Sequence, residues 1–383
     1  MDRPNILISD NNLSNINREN KMVLKLKKKV VVPKKENQDV KEVKDLKTVV
    51  NKSTLLDVLK KVKPGIASKD IIESMTYFFF SGEDIITYND HISIQHPFKT
   101  NFSFFVKAKD FFSIVSKISV QEITLMEEQD KLVLKCQSVL AKLCTIKDDE
   151  VISRISTVKD SLVDTEWKSI PENFLECISL CSFAAAKGES DLTLTCIKVD
   201  GDYCVASDNQ RVAFAKLTTP MDFFFLKSSE VNNLTAINPI KYSVEDSWIH
   251  FQNADSCIFS IRKVMGEFPD FFPFLNFDGA SINVPKEITE GVDLASVFSD
   301  PETPSITLLI QKGLCMITVE SPHGELKFKT KIDYSGDDIK FKINPLFLRE
   351  MLSHSTEITI SETRAKLETA SFSLLTALVV ESE

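Results

Sequence analysis

The residue types that usually do chemistry are present in this chain, but not at spacings that would let them act together. Eight cysteines are spread over 383 residues, and none stands in a C-x-x-C pair or another zinc-ligand spacing. Cys136, Cys144, Cys196, Cys204, Cys257 and Cys315 lie in apolar, strand-like stretches, where cysteine serves as a small hydrophobe, and Cys177 and Cys181 are one helical turn apart. Buried, reduced thiols are expected. The five histidines are scattered, and the acidic pairs Asp148-Asp149 and Asp337-Asp338 fall in predicted turns as solvated charges. With ten glycines, the chain has no phosphate-cradling loop, dinucleotide fingerprint, nucleophile elbow or H-E-x-x-H helix. These absences point away from an enzyme and imply no metal and no cofactor.

Two segments carry a different kind of signal. Ser207-Asp208-Asn209-Gln210-Arg211 follows the strand-like DYCVAS and precedes the apolar VAFAKL. Read alone, it is a β-turn with Asp and Asn in suitable places. Gly266-Glu267-Phe268-Pro269-Asp270-Phe271 follows some sixty residues later and runs into Phe272-Pro273-Phe274-Leu275, an apolar string where a domain linker should be polar. Exposed apolar surface at a domain boundary marks a binding site.

The elements that must position these segments repeat. FFVKAKDFFSIVSKI from Phe104, FFLKSSEVNNLTAI from Phe224 and KFKINPLFLREML from Lys340 each read as strand, break and one-sided helix, at offsets of 120 and 116 residues. Alternating strands follow each, and a weaker version of the pattern precedes each, over residues 46–94, 167–217 and 281–331. The expected architecture is α+β: six β-α-β-β-β units in three domains, at 46–160, 161–279 and 280–383. The turn Asp200-Gly201-Asp202 is a hairpin signal. A first helix is expected from an Asn51 or Ser53 cap to Pro64-Gly65, and the first helix of the third domain over 286–299. The helix faces of the first domain leave Lys52, Lys60, Lys61, Lys63, Lys107, Lys109 and Lys117 outside, whereas the first helix of the third domain carries Glu287, Glu290 and Asp293.

Composition bounds the rest. Apolar content of 43% with 26% charged residues is globular, and the 27 Phe, with abundant Lys, Asn and Ile, fit an AT-rich genome. The net charge is −9, but residues 1–50 carry +5, so the body is strongly acidic. Residues 1–45 are expected to be disordered; their KLKKKVVVPKK reads as a solvated linker or as an arm that touches nucleic acid or a partner. No apolar run reaches the ~20 residues of a membrane span, and MDRPNILISDNN has no signal-peptide pattern, so a cytoplasmic protein is expected.

The two segments, in this order and inside a threefold repeat, resemble the bacterial DNA polymerase III beta subunit, the sliding clamp. That family carries a T-D-G-H-R-L-A turn, matched by Ser207 to Ala213, and a G-x-[FY]-P-D-Y segment, matched by Gly266 to Phe271. Its V-x-x-K-x-[FL] helix entry is matched by Val106 to Phe111, and its Asn-x-x-[FY]-[LV] opening by Asn344 to Leu348. The resemblance covers residues ~46–380 and implies a ring of two subunits joined head to tail, with inner helices and outer antiparallel sheets. It implies encirclement of double-stranded DNA without base readout, and tethering of a DNA polymerase and a clamp loader. The candidate DNA contacts are the seven lysines above with Lys187, Lys227 and Arg349. The implied partner-peptide cleft comprises Leu194, Ser207, Asn209, Gln210, Arg211, Val212, Pro269, Phe274, Asn344, Phe347, Ala377 and Leu378. Departures are Asn209-Gln210 for Gly-His, Pro273 for a common Arg, and Thr376-Ala377-Leu378 for the usual M-P-[ML]-[RK] ending, followed by an extra acidic tail from Val379 to Glu383. Such divergence, with the added arm, suits a phage-encoded clamp in a bacterial host. The alternative is a clamp-fold interaction scaffold that does not encircle DNA.

Overall fold

The computed structural model describes residues 47–69, 71–188, 191–322 and 324–380. The N-terminal arm and the last three acidic-tail residues lie outside them. The described residues belong to one compact unit.

The first unit is β1 (Lys47–Asn51), α1 (Lys52–Val62), β2 (Tyr77–Phe80), β3 (Asp84–Tyr88) and β4 (Ile92–Pro97). The second is β5 (Phe104–Lys107), α2 (Ala108–Lys117), β6 (Glu122–Glu128), β7 (Lys131–Cys136) and β8 (Val139–Ile146). A helix outside the repeat, α3 (Asp149–Asp160), follows. The third unit is β9 (Lys168–Ser169), α4 (Phe174–Ser182), β10 (Cys196–Ser207) and the start of β11 (Arg211–Lys227). The far end of β11 opens the fourth, with α5 (Val231–Ile237), β12 (Lys241–Val244), β13 (Trp248–Gln252) and β14 (Ile258–Arg262). After the short α6 (Phe272–Leu275) come β15 (Ala280–Asn283), α7 (Ile288–Ser296), β16 (Ile306–Gln311), β17 (Leu314–Ser321) and β18 (Gly324–Lys331). The sixth unit is β19 (Ile339–Ile343), α8 (Pro345–His354), β20 (Glu357–Ile360), β21 (Arg364–Glu368) and β22 (Phe372–Ala377).

Local chemistry sets these boundaries. Asn51 caps α1 by accepting from the Thr54 amide at 3.2 Å, and the helix stops before Pro64-Gly65. At Asp200-Gly201-Asp202 the register breaks on both sides of Gly201, whose φ is +59°, in the left-handed region. Lys198 Nζ reaches the Tyr203 hydroxyl at 3.3 Å and lies over its ring. Residues that far apart on a straight strand would be about 16 Å apart, so β10 folds back at this point.

Among the described residues three antiparallel sheets result, of 12, six and four strands. Two junctions carry the chain from one domain to the next. β4 pairs with β14, from Ile92↔Ile261 to Gln95↔Ile258, and β11 pairs with β22, from Arg211↔Thr376 to Ala215↔Phe372.

The helices pack in pairs, α1 on α2, α4 on α5 and α7 on α8, against one face of the sheets. Strand alternation assigns the faces. Phe78 and Phe80 of β2 join Leu55, Leu59 and Phe111 in the main core, each fully buried, and such a side chain contributes roughly 1.5–3 kcal/mol. Tyr77 turns to the opposite face with Ile86, Tyr88 and Phe105. There α3 covers them with Val151, Ile155 and Val158, together with Trp248 of β13.

Several expectations need correction. Asp148 is not a solvated turn charge: its carboxylate caps α3 by accepting from the Val151 amide at 3.0 Å. Helix α7 runs over Ile288–Ser296, shorter than 286–299. Cys144 is exposed, unlike the other seven cysteines, because most of one edge of β8 has no neighbouring strand.

Candidate functional site

The turn from Ser207 to Val212 is fixed from within. Fully buried Ser207 donates its hydroxyl to the Arg211 carbonyl (2.8 Å) and accepts from the Asn209 amide (3.1 Å). The Asp208 carboxylate accepts from the amides of Gln210 (3.1 Å) and Arg211 (3.0 Å) and from Arg211 Nε (3.0 Å). Asn209 takes the left-handed backbone that the turn needs, at φ +69°. These bonds aim the Arg211 guanidinium between two rings, 4.4 Å from Phe347 and 5.2 Å from Phe183. Asn344 caps α8 by accepting from the Leu346 amide at 2.9 Å, which fixes the helix that carries Phe347.

Val212 belongs to the opposite face of the same strand. With Val205, Tyr203 and Phe214 it floors a cavity of about 110 Å³, walled by Phe268, Pro269 and Phe271 and partly roofed by α6. The Phe272 ring stands edge-on to Tyr203 and Phe214, at 5.1 and 5.8 Å. Phe274 lies outside the cavity: it is 45% exposed, with the Arg364 guanidinium 5.2 Å over its ring. The main chain completes the frame, with Ala377 N donating to Gln210 O and Leu378 N to Thr363 O, both at 2.8 Å. Leu378 also borders a second depression of about 220 Å³, beside Lys340 and Lys342. Buried Leu194 lies next to Thr193, whose hydroxyl donates to Glu267 O at 2.9 Å.

Of the residues expected in one cleft, Val212 and Pro269 thus line the cavity. Arg211 and Phe347 meet behind it on the helix side. Ser207, Asn209, Gln210, Asn344, Ala377 and Leu378 build the frame. Sequence reasoning missed Tyr203 and Phe214, although alternation from Val205 and Val212 points to them.

The candidate DNA contacts also separate. Lys63, Lys109 and Lys117 are exposed without an ion pair among the described residues, Lys63 over the Phe112 ring, and Lys60 has only a 3.9 Å approach to Asp57. Lys61 is held by Asp255 at 2.6 Å, Lys52 donates to the Ile118 carbonyl, and Arg349 pairs with Asp293 at 3.3 Å. Lys107 donates to Thr76 at 2.7 Å and lies over Tyr77, on the face opposite the helices. Lys227 holds the same register position in its own unit, opposite Cys196 as Lys107 is opposite Tyr77. Lys187 is exposed in the loop after α4.

Solved structures share this fold. The DNA polymerase sliding clamp from Bacillus subtilis superposes with a TM-score of 0.75 at 18% identity, over 88% of this chain and 99% of that one. The fold is that of the DNA sliding clamps. The DNA polymerase III beta chain from Streptococcus pneumoniae gives 0.75 at 22% identity, over 88% of this chain and 100% of that one. The beta subunit from Thermotoga maritima gives 0.74 at 18%, over 88% and 100%. No protein-family profile matches the chain, and no curated protein matches it in sequence. The clamp fold is therefore visible in the backbone at an identity too low for sequence comparison. Among the described residues no helix is long and apolar enough to cross a membrane.

Proposed function

We propose that this chain is a DNA sliding clamp, a non-catalytic processivity factor that encircles duplex DNA as a head-to-tail pair and tethers a polymerase and a loader. One observation carries the reading. Each internal junction joins the last strand of a domain's first unit to the last strand of the next domain's second unit, as β4–β14 and β11–β22. The strands left at the corresponding positions are β18 and β8. Among the described residues β18 pairs only with β17, and β8 only with β7 and, at its end, with β5 through Phe105↔Ile146 and Val106↔Thr145. A second copy related by a two-fold axis supplies β8 to β18 and β18 to β8, which closes six domains into a ring. The helices then face the hole, and Lys60, Lys63, Lys109 and Lys117 meet phosphates without reading bases. The seam around Arg211 and Val212 takes partner peptides.

Light scattering after size exclusion tests the pairing, with a mass twice 43.2 kDa expected. Retention on nicked circular DNA, with release on linearisation, tests encirclement. Retention that survives linearisation refutes the topological link, and a monomer that holds partner peptides but not circles supports a scaffold.

A further inference from the structure

The peptide-binding reading of the seam says nothing about what fills the cavity when no partner is bound. We infer that α6 is a stand-in for the partner: Phe272 occupies in cis the place of an aromatic anchor, and a partner peptide enters by displacing it. The inference rests on that reading and deepens it.

Three features of α6 support this. It is a single turn with none of its side chains buried, and Phe272 remains 48% exposed although its ring meets Tyr203 and Phe214 edge-on. Phe268, Phe271 and Phe277, on either side, pack against Val205, Val212 and Leu375, so the linker is anchored at both ends and the turn between them can lift. About 110 Å³ stays unfilled beneath it, so Phe272 covers the cavity without filling it. A half-exposed ring over an incompletely filled apolar cavity is readily replaced by one that buries more surface.

The same turn measures the ligand. Two residues after Phe272, the Phe274 carbonyl accepts from Arg364 Nη1 at 3.5 Å, and Arg364 has no carboxylate partner among the described residues. A carboxylate is a stronger acceptor for a guanidinium than a distant carbonyl. The partner that fits is therefore a short peptide with an aromatic residue and, two residues on, an Asp or Glu. Its ring takes the Phe272 position and its carboxylate takes Arg364.

Fluorescence anisotropy with the full chain tests this, using labelled peptides that carry Phe-x-Glu, Ala-x-Glu or Phe-x-Gln in a Gly-Ser context. Phe272→Ala should tighten Phe-x-Glu binding about tenfold, because the competing internal state is removed. Arg364→Gln should erase the preference for Glu over Gln while leaving the preference for Phe over Ala. Val212→Arg, which fills the cavity floor, should abolish binding in either background. If Phe-x-Glu binds in a Val212-dependent way but Phe272→Ala gains nothing, the stand-in is wrong and the peptide seam survives. If no peptide binds wild type or Phe272→Ala, while both melt at the wild-type temperature, both readings fall.

Discussion

The imidazole of His250 is fully buried between two hydroxyls, with Nδ1 2.8 Å from Ser260 Oγ and Nε2 3.1 Å from Ser161 Oγ. Neither contact is a carboxylate, so burial dominates and pushes its pKa down to about 4, against a weaker opposing pull from Glu245. A folded-state value below the ordinary 6.5 means that the unfolded chain binds the proton more readily. The stabilising contribution is therefore complete above pH 6.5 and lost as the pH falls towards 4, by about 3 kcal/mol in all. His250→Gln keeps hydrogen-bonding capacity without titrating. Its melting temperature should fall less than that of wild type between pH 6.5 and 4, and parallel curves would remove His250 as the cause. Arg211 is the other residue whose surroundings decide its role. Sandwiched between Phe183 and Phe347 and paired with Asp208, it holds the turn to α8. Arg211→Ala should cost about 1–3 kcal/mol in urea unfolding, and Arg211→Lys should recover little, since an ammonium cannot stack on two rings. Full recovery by Lys would show that charge alone matters there.

At the level of elements, the repeat was legible because each unit obeys two periods, 3.6 for its helix and 2 for its strands. Leu55, Val58, Leu59 and Val62 are buried as the helical spacing of α1 requires, and Phe78 and Phe80 alternate with Tyr77 as a strand requires. What stayed hidden were elements outside the repeat. Val151, Ile155 and Val158 do have helical spacing in α3, but polar neighbours mask it, and its packing face lies far away in sequence, at Tyr77, Tyr88 and Trp248. The site was half legible for a related reason. The turn chemistry of Asp208 and Asn209 is local, whereas the commitment of Lys61 to Asp255 or Lys107 to Thr76 depends on pairings that no spacing reveals. Helix α3 also packs against Trp248 of β13, some ninety residues further along the chain. Ile155→Ala should thus cost about 2–5 kcal/mol, as large-to-small core changes do, and a loss under 1 kcal/mol would mean that α3 merely rests on the surface. The helix faces give the corresponding DNA prediction. Converting Lys60, Lys63, Lys109 and Lys117 to Glu should weaken DNA retention and lower the slope of log affinity against log salt by about 0.9 for each phosphate that is no longer neutralised. An unchanged slope would assign the phosphate attraction to other residues.

At the scale of the whole molecule, the pairing proposed for two copies rests on the open stretch of β8 and the open edge of β18. On β8, Leu140 is 63% and Val139 37% exposed, and Cys144 lies on the same strand. On β18, Lys327, Lys329 and Lys331 are exposed, and lysines on an open edge discourage indiscriminate pairing before the correct partner docks. Like charges facing each other also disfavour β18 pairing with a second β18. Because Leu140 is already exposed in one copy, Leu140→Asp should leave the melting temperature of the monomer within a degree or two while shifting the assembly to single chains. The same variant should lose retention on nicked circles although Lys60, Lys63, Lys109 and Lys117 are intact, which separates closure from phosphate attraction. Cys144 supplies an independent reading, since the other seven cysteines are buried. Its alkylation should slow as wild-type protein is concentrated through the dimerisation range and should stay fast for Leu140→Asp at every concentration. Equal rates at all concentrations in both proteins, alongside a dimeric mass for wild type, would place the subunit interface away from β8 and overturn the pairing of the two edges.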